Sequence, residues 1–278
     1  MTFEQHRPQL FRLAYGMLGS VASAEDVVQE AWIRYEQAND VRDEAPFLRT
    51  VVSRLALDEL RSARVRRETY IGPWLPEPLQ TEGGPEHHAG VSEALSMATL
   101  AVLSQLSAAE RAAFLLREMF DLDYDEIGTV LDRKEPAVRQ LVRRARAALA
   151  EQRPRFDPDP VAHAALLAAF AQATTSGDLD GLKALLADDV HVTSDGGGKA
   201  VAATRVVRGP DHVARFFIGT ARKLDRHAHP EVRQLNGSLA VVLLHEGVVV
   251  SALMFATADG KVTAVHTVRN PDKLRHLT

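Results

Sequence analysis

The spacing of apolar residues divides the chain into two parts. Up to about residue 150, apolar side chains recur every three or four positions, which is the spacing of helices that bury one face. From about residue 190, short runs rich in Val, Leu and Ala indicate β-strands instead. The predicted strands are 190–194, 201–207, 231–235, 239–244, 247–256 and 262–268. Helices followed by a mainly antiparallel sheet predict an all-α N-terminal part and an α+β C-terminal domain.

Two proline-rich stretches separate these parts into domains. Residues 70–90 contain four prolines, four glycines and no sustained apolar period, and residues 154–160 read PRFDPDP. We expect the proline-spaced part of the first stretch to be extended and semi-rigid. The predicted organisation is helical domain 1–69, linker 70–90, helical domain 91–153, linker 154–160 and α+β domain 161–278.

The most informative pattern in the second helical domain is a pair of helices joined by a tight turn. A short helix at 124–131 leads into a longer one at about 135–150, whose one face is apolar and whose other face is basic. In a helix-turn-helix protein the second helix enters the major groove, where Arg can pair with guanine or phosphate and Gln with adenine. The alternative is a solvated basic helix in a bundle. The candidate DNA-binding residues here are Arg133, Lys134, Arg139, Gln140, Arg143 and Arg144.

A second basic cluster closes the helix predicted at 46–67, with Arg61, Arg64, Arg66 and Arg67. Aromatic residues flank it, and a basic groove with stacking aromatics suits single-stranded or opening DNA. Taken alone, the pattern favours the simpler interpretation that these Arg residues interact with the negative end of the helix dipole.

Acidic residues occupy the start of the helix that contains AEDVVQEAW, at 24–32. No His or further carboxylate supports a metal site there. The acids either favour the helix dipole or belong to a protein-docking face. That face would consist of Asp26, Gln29, Glu30 and Trp32.

Composition narrows the classes of protein that remain. A net charge of −4 argues against a generally basic nucleic-acid binder, so contacts with DNA should be confined to the two Arg clusters. The absence of Cys excludes disulfides and thiolate metal sites. No apolar run approaches the roughly 18 residues of a membrane span, and the N-terminus lacks the layout of a signal peptide. We therefore expect a cytoplasmic protein without a metal or cofactor.

Taken in order, these segments resemble a bacterial sigma factor of the extracytoplasmic-function type. SAEDVVQEAWIRYEQA and FLRTVVSRLALDELRSARVRR resemble sigma region 2, and LSAAERAAFLLREMFDLDYDEIGTVLDRKEPAVRQLVRRARAAL resembles sigma region 4. The resemblance implies that region 2 binds core RNA polymerase and reads the minus-10 promoter element, whereas region 4 reads the minus-35 element. It places Asp26, Gln29, Glu30 and Trp32 on the polymerase-binding helix. The residues that it places near minus-10 DNA are Arg54, Arg61, Arg64, Arg66 and Arg67.

Residues 160–278 resemble a SnoaL-like domain, which is the cone-shaped α+β fold of nuclear-transport-factor-2-like proteins. One sigma subgroup carries such a fused domain, and WLPEPL (74–79), DGGGK (195–199) and NPDKL (270–274) look like its signatures. The resemblance implies regulation in cis, without a separate anti-sigma factor, through docking of the cone on the linker. The implied inter-domain residues are Trp74, Leu75, Pro76, Glu77, Pro78, Asp195, Gly196, Gly197, Gly198, Lys199, Asn270, Pro271, Asp272, Lys273 and Leu274.

Simpler interpretations of these stretches remain open at this point. DGGGK could be a flexible loop and NPDKL a C-terminal tail. The cone could also hold a small-molecule ligand, and a DNA-tethered sensor or enzyme is the alternative function. The acid–base candidates for an enzyme are His191, Asp195, His212 and His245, but they lack a defined spacing. We therefore expect a transcription factor and not an enzyme.

Overall fold

The computed structural model describes residues 3–38, 41–81, 95–152, 160–224 and 227–277. By their contacts these residues form two compact units. The first contains residues 3–69, 95 and 99–152, and the second contains 70–81, 96–98 and the described residues from 160 onward. Both predicted helical domains thus belong to one unit, and the described part of the predicted linker belongs by its contacts to the C-terminal unit.

The first unit is entirely helical. Its helices are α1 (Phe3–Leu18), α2 (Val21–Gln37), α3 (Glu44–Glu68), α4 (Met97–Leu103, of which residues 99–103 belong here), α5 (Ala108–Phe120), α6 (Tyr124–Leu131) and α7 (Glu135–Gln152). Apolar residues at helical spacing bury one face of each, as Leu10 and Leu13 do on α1 and Val138 and Val142 do on α7. The predicted helix pair at 124–131 and 135–150 is confirmed to within two residues.

The second unit packs helices on one face of a six-stranded sheet. The helices are α8 (Pro160–Ser176), α9 (Leu179–Ala184) and α10 (Pro210–Ala221). The strands are β1 (Leu186–Asp195), β2 (Val207–Arg208), β3 (Ala228–Leu235), β4 (Ser238–His245), β5 (Val248–Ala258) and β6 (Lys261–Val268), in the order β2-β1-β6-β5-β4-β3. All neighbours are antiparallel except β1 and β6. Two short 3₁₀ helices, Pro271–Lys273 and Arg275–Leu277, follow β6.

Side chains alternate between the two faces of this sheet. Val192, Phe255 and Val265 point toward the helices and form the core with them. The opposite face, here called the inner face, carries Asp195 and, on neighbouring strands, His266 and Met254, which lie directly opposite each other. The inner face is therefore the surface on which other segments of this unit can pack.

One predicted strand is wrong. Residues 201–206 are not a strand, and only Val207–Arg208 pairs with β1. Val201 is 86% exposed, so the apolar residues in this stretch do not bury a face. Among the described residues, no helix is long and apolar enough to cross a membrane.

Candidate functional sites

The helix-turn-helix of the first unit is built from α6 and α7. Helix α6 ends at Leu131. Asp132 follows it in a left-handed conformation with φ of 54°, and the chain turns sharply into α7. Gly128 permits this turn, because a Cβ atom there would lie 2.5 Å from the carbonyl oxygen of Arg133. The buried face of α7 lies against the rest of the unit, which leaves its basic face in solvent.

The candidate DNA-binding side chains on α7 and in the turn before it differ in whether they already have a partner within the protein. Arg139 pairs with Glu135 at 2.5 Å and lies 4.3 Å from the centre of the Tyr124 ring. Arg144 pairs with Glu110 at 2.7 Å. Across the described residues, by contrast, no ion pair or side-chain hydrogen bond engages the exposed side chains of Lys134, Gln140 and Arg143. These three are the residues that can meet a ligand without first leaving a partner.

The predicted minus-10 residues lie on α3. Arg54 donates to the carbonyl oxygens of Thr129 and Val130 at 3.4 Å each, and both acceptors lie in the last turn of α6. Arg61 is exposed and pairs with Asp58 at 2.9 Å. The side chains of Arg64, Arg66 and Arg67 lie outside the described residues.

The predicted docking face on α2 contains more apolar surface than the sequence indicated. Asp26 and Gln29 are exposed, and Glu30 pairs with Arg34 at 2.9 Å. Trp32 is 38% exposed, with its ring centre 4.7 Å from that of Phe3. The neighbouring Ile33, which the sequence analysis did not select, is 41% exposed. The face therefore combines carboxylates with two adjoining apolar side chains.

In the second unit, three distant sequence stretches meet at one buried carboxylate. Asp195 ends β1 and is fully buried. Its Oδ2 atom accepts from the Leu75 amide at 2.8 Å and from Lys273 Nζ at 2.7 Å. Its Oδ1 atom accepts from the Tyr70 hydroxyl at 2.5 Å. A buried carboxylate is tolerated when it is paired and hydrogen-bonded, and two of these three donors come from residues 70–75.

Lys273 completes this arrangement. It is 6% exposed, and besides Asp195 it donates to the carbonyl oxygen of Leu75 at 2.5 Å. Its ammonium nitrogen lies 4.1 Å from the centre of the Trp74 ring and 5.1 Å from that of Tyr70, within the range of a cation–π contact. Lys273 therefore contacts both the backbone and the aromatic side chains of residues 70–75.

The glycines of DGGGK allow Tyr70 and Ile71 to lie close to the backbone of this loop. Gly197 and Gly198 have φ values of 57° and 70°, a region that non-glycine residues rarely adopt. A Cβ atom on Gly197 would lie 2.3 Å from Asn270 Nδ2, and one on Gly198 would lie 2.8 Å from Ile71 Cδ1. Asn270 Nδ2 in turn donates to the Tyr70 hydroxyl at 2.9 Å.

Side chains and backbone of the NPDKL stretch extend this network. Asn270 caps the 3₁₀ helix by accepting from the Asp272 amide at 3.1 Å, and Asp272 forms an ion pair with Lys199. Pro271 is the first residue of that short helix, and Leu274 after it is 2% exposed. Within the described residues, NPDKL is thus an ordered part of the second unit and not a loose tail.

The second half of residues 70–81 is held by groups that the sequence analysis missed. The Oδ1 atom of Asn236 accepts from the Leu79 backbone amide at 3.0 Å. The Asn236 backbone amide donates to the Leu79 carbonyl oxygen at 2.8 Å. His276 Nε2 lies 2.6 Å from the Pro78 carbonyl oxygen. Asn236-Gly237 between two strands is a hairpin-turn pattern, but nothing in it indicates a partner more than 150 residues away.

Residues 70–81, here called the captured linker, therefore run across the second unit between two anchor points. The first is Asp195 with Lys273, and the second is the β3–β4 turn. Between them Leu75 is 2% exposed, and Pro76 and Pro78 are buried. Within the predicted signature WLPEPL, Pro78 is buried and Glu77 is half-buried.

A small cavity of about 20 Å³ lies on the inner face, lined by Ser96, Met97, Asn236, Met254 and His266. That volume holds about one water molecule. His266 is buried, and its Nδ1 atom has no hydrogen-bond partner among the described residues. Burial and the nearby His191 lower the pKa of His266 to about 3, so the ring is neutral. Of the acid–base candidates, His191 and His245 lie on β1 and β4, which two other strands separate.

Similar proteins identify the family to which this chain belongs. Residues 2–66 match the family Sigma-70 region 2, and residues 96–149 match Sigma-70, region 4. The chain is 39% identical to the ECF RNA polymerase sigma factor SigJ of Mycobacterium tuberculosis, over 98% of this chain and 91% of that protein. It is 33% identical to the probable ECF RNA polymerase sigma factor SigI of the same species, over 98% and 93%. The chain is an extracytoplasmic-function sigma factor.

The fold agrees with this assignment along the whole chain. The crystal structure of the extracytoplasmic-function sigma factor SigJ of Mycobacterium tuberculosis superposes with a TM-score of 0.81 at 36% identity, covering 98% of this chain and 97% of that one. The predicted fold class, with helical sigma regions followed by an α+β cone, is confirmed. As a sigma factor this chain acts in transcription initiation, with core RNA polymerase and promoter DNA as its partners. The roles of individual residues stay predictions.

Proposed function

We propose that the cone regulates this sigma factor in cis by capturing residues 70–81, the chain between regions 2 and 4. The observation that carries the proposal is the buried Asp195, two of whose three donors come from the captured linker. If the linker leaves, Asp195 keeps only Lys273, and Lys273 loses the Leu75 carbonyl. A hydrogen bond to a charged group contributes on the order of 1.5–3 kcal/mol, so the bonds from Tyr70 and Leu75 to Asp195 favour the captured state.

The apolar contacts of the captured linker support the same conclusion. Leu75 is buried to the same degree as a core residue. Covering a leucine side chain contributes about 1.5–3 kcal/mol. The polar and the apolar contacts thus both favour capture. Capture takes residues 70–81 out of the free chain between regions 2 and 4, and in this way it restrains the sigma factor without a separate anti-sigma protein.

We further propose roles for the exposed surfaces of the first unit. Lys134, in the turn before α7, and Gln140 and Arg143, on α7, read the minus-35 element, while Arg139 and Arg144 supply positive charge nearby. The α2 face of Asp26, Gln29, Glu30 and Trp32, extended by Ile33, binds core polymerase. Such a protein works where polymerase and chromosome are, in the cytoplasm.

The experiment compares Lys273→Met with Lys261→Met in full-length protein. Lys273→Met keeps the aliphatic stem and removes the ammonium that contacts Asp195 and Leu75. Lys261 is an exposed residue at the start of β6, so its variant controls for loss of a positive charge. Two quantities are measured: hydrogen exchange of the Leu75 amide, and run-off transcription with core RNA polymerase.

Capture predicts that Lys273→Met speeds exchange of the Leu75 amide about ten-fold or more and raises initiation, whereas Lys261→Met changes neither. If Leu75 exchanges at the wild-type rate and initiation is unchanged, the linker is not held by this ion pair and the proposal fails. Faster exchange with lower initiation would show that the cone supports the sigma core instead of restraining it.

A further inference from the structure

Most of the arginines on α7 are paired with glutamates of the same unit. The pairs are Arg139 with Glu135 at 2.5 Å, Arg144 with Glu110 at 2.7 Å and Arg146 with Glu118 at 2.6 Å. The fourth arginine of the helix, Arg143, is exposed and has no ion pair among the described residues. The positive charge that the sequence places on this helix is therefore largely opposed within the protein.

Arg139 is held from two sides. Its Nε and Nη2 atoms both donate to Oε1 of Glu135, at 2.9 Å and 2.5 Å. Its guanidinium also lies 4.3 Å from the centre of the Tyr124 ring, within the range of a cation–π contact. Both members of the ion pair are exposed. A phosphate that binds Arg139 must therefore compete with a carboxylate and an aromatic ring.

The other two glutamates come from a different helix. Glu110 and Glu118 both lie on α5, whereas their arginines lie on α7. Glu110 is also fixed by a second contact, because its Oε2 atom accepts from the Ser107 amide in the capping box at 3.1 Å. Glu118 accepts two bonds from Arg146, at 3.0 Å and 2.6 Å. These two pairs are therefore not a by-product of the spacing along one helix.

Stability alone is a weak explanation for these pairs, because exposed ion pairs contribute little to it. Their effect on DNA binding is more direct. Nonspecific affinity for DNA comes from contacts between basic side chains and phosphates, with release of counterions. An arginine that must leave its glutamate to reach a phosphate contributes less, and the carboxylate left behind repels the phosphate. Base contacts by Gln140 and Arg143 require no such exchange.

We infer that Glu135, Glu110 and Glu118 are specificity-determining residues, which suppress contacts between α7 and the phosphates of DNA. This inference rests on the proposed reading of the minus-35 element by α7. The chemistry that the glutamates reject is the phosphate backbone, which is the same in every sequence. The unpaired side chains that meet base edges then account for a larger share of the affinity.

The test compares Glu135→Gln with Glu151→Gln in the full-length protein. Both substitutions keep the size of the side chain and remove one negative charge. Glu151 is exposed in the last turn of α7, and it has no ion pair within the described part of the chain. It lies about 24 Å farther along the helix, at about 1.5 Å per residue. Glu151→Gln therefore controls for the change in net charge.

Binding is measured to two short duplexes over a range of salt concentrations. One is the duplex that the wild-type protein selects from a random pool, and the other is a scrambled duplex of the same base composition. We expect Glu135→Gln to bind the scrambled duplex about five-fold more tightly and to steepen its salt dependence by about 0.9, since one more arginine can contact phosphate. Affinity for the selected duplex should change by less than about two-fold, because base contacts already fix the register there. The control should match wild type on both duplexes.

An unchanged affinity of Glu135→Gln for the scrambled duplex, or equal gains on both duplexes, would overturn the inference. A purely structural role of the pair would lower the free energy of unfolding without steepening the salt dependence, which would also overturn it. Glu118→Gln repeats the measurement at a pair that joins two helices, and we expect the same direction of change.

Arg143→Ala distinguishes failure of this inference from failure of the proposed function. If Arg143→Ala leaves the preference for the selected duplex unchanged, the proposed reading of the minus-35 element fails, and the role of the glutamates fails with it. If Arg143→Ala relaxes the preference but both glutamate variants bind the scrambled duplex as wild type does, α7 still reads the element. The glutamates then have no part in its specificity.

Discussion

The central residues of the second unit are buried polar groups, and the free-energy cost of burying them is offset in different ways. Asp195 and Lys273 satisfy each other and share their remaining capacity with the captured linker. The Tyr70 hydroxyl is a reliable donor there, because burial and its bond to Asp195 raise its pKa. His266 instead avoids the cost of charge by remaining neutral, since burial lowers its pKa. These two solutions lead to separate predictions.

Tyr70→Phe should loosen the captured linker without exposing it. The change removes one donor to Asp195 and the acceptor of Asn270, and an unsatisfied buried polar group costs about 1–3 kcal/mol. We expect the Leu75 amide to exchange about five-fold to a hundred-fold faster. Tyr35→Phe deletes a hydroxyl that bonds Glu44 in the other unit and serves as the control. Unchanged exchange in Tyr70→Phe would mean that the hydroxyl adds nothing to capture.

His266 should make the second unit less stable as the pH falls. Its folded pKa of about 3 lies below an unfolded value of about 6.5, so protonation favours unfolding. The free energy of unfolding is therefore unaffected by this histidine above about pH 6.5, and it falls progressively as the pH drops toward 3. At pH 5 the loss amounts to about 2 kcal/mol. Burial also lowers the pKa of the neighbouring His191, which acts in the same direction.

His266→Leu should therefore reduce the drop in unfolding free energy between pH 7 and pH 5 by about 2 kcal/mol. Urea unfolding can be followed by the fluorescence of Trp74 in a Trp32→Phe background, because the chain has two tryptophans and only Trp74 lies in the second unit. The exposed His229→Leu is the control. A pH dependence identical to wild type would show that His266 does not stay neutral in the folded protein.

At the scale of elements, local patterns predicted local structure well and long-range partners poorly. Helix α6 was expected at 124–131 and is observed at Tyr124–Leu131, because apolar spacing and turn residues lie within the element itself. The strand expected at 201–207 reduces to Val207–Arg208, since strand pairing depends on a partner. Residues 70–81 form neither a helix nor a strand, and Tyr70 bonds Asp195 125 positions away. Only the resemblance to a sigma subgroup grouped those stretches.

The basic face of α7 allows a prediction at the same scale. Arg143 is exposed and without an ion pair among the described residues, whereas Arg146, on the same helix, pairs with Glu118 at 2.6 Å. If α7 reads the minus-35 element, Arg143→Ala should weaken promoter binding by about 1–3 kcal/mol and relax sequence preference. Arg146→Ala removes the same charge and should change affinity by less than about three-fold. Equal effects of the two substitutions on affinity and preference would indicate a nonspecific charge contribution.

At the scale of the whole molecule, the proposed restraint acts on the chain between the two sigma regions. The cone holds residues 70–81 through Asp195, whose Oδ2 atom accepts from the Leu75 amide. Removing residues 156–278 eliminates this restraint. Asp195 and Lys273 are then absent, and Leu75 loses the surface that buries it.

The truncated chain should therefore lose the protection of the captured linker. We expect proteolysis within residues 70–81 to become at least about ten-fold faster, because the Leu75 and Leu79 amides lose their acceptors. A truncated chain whose linker stays protected would remove the cone from regulation.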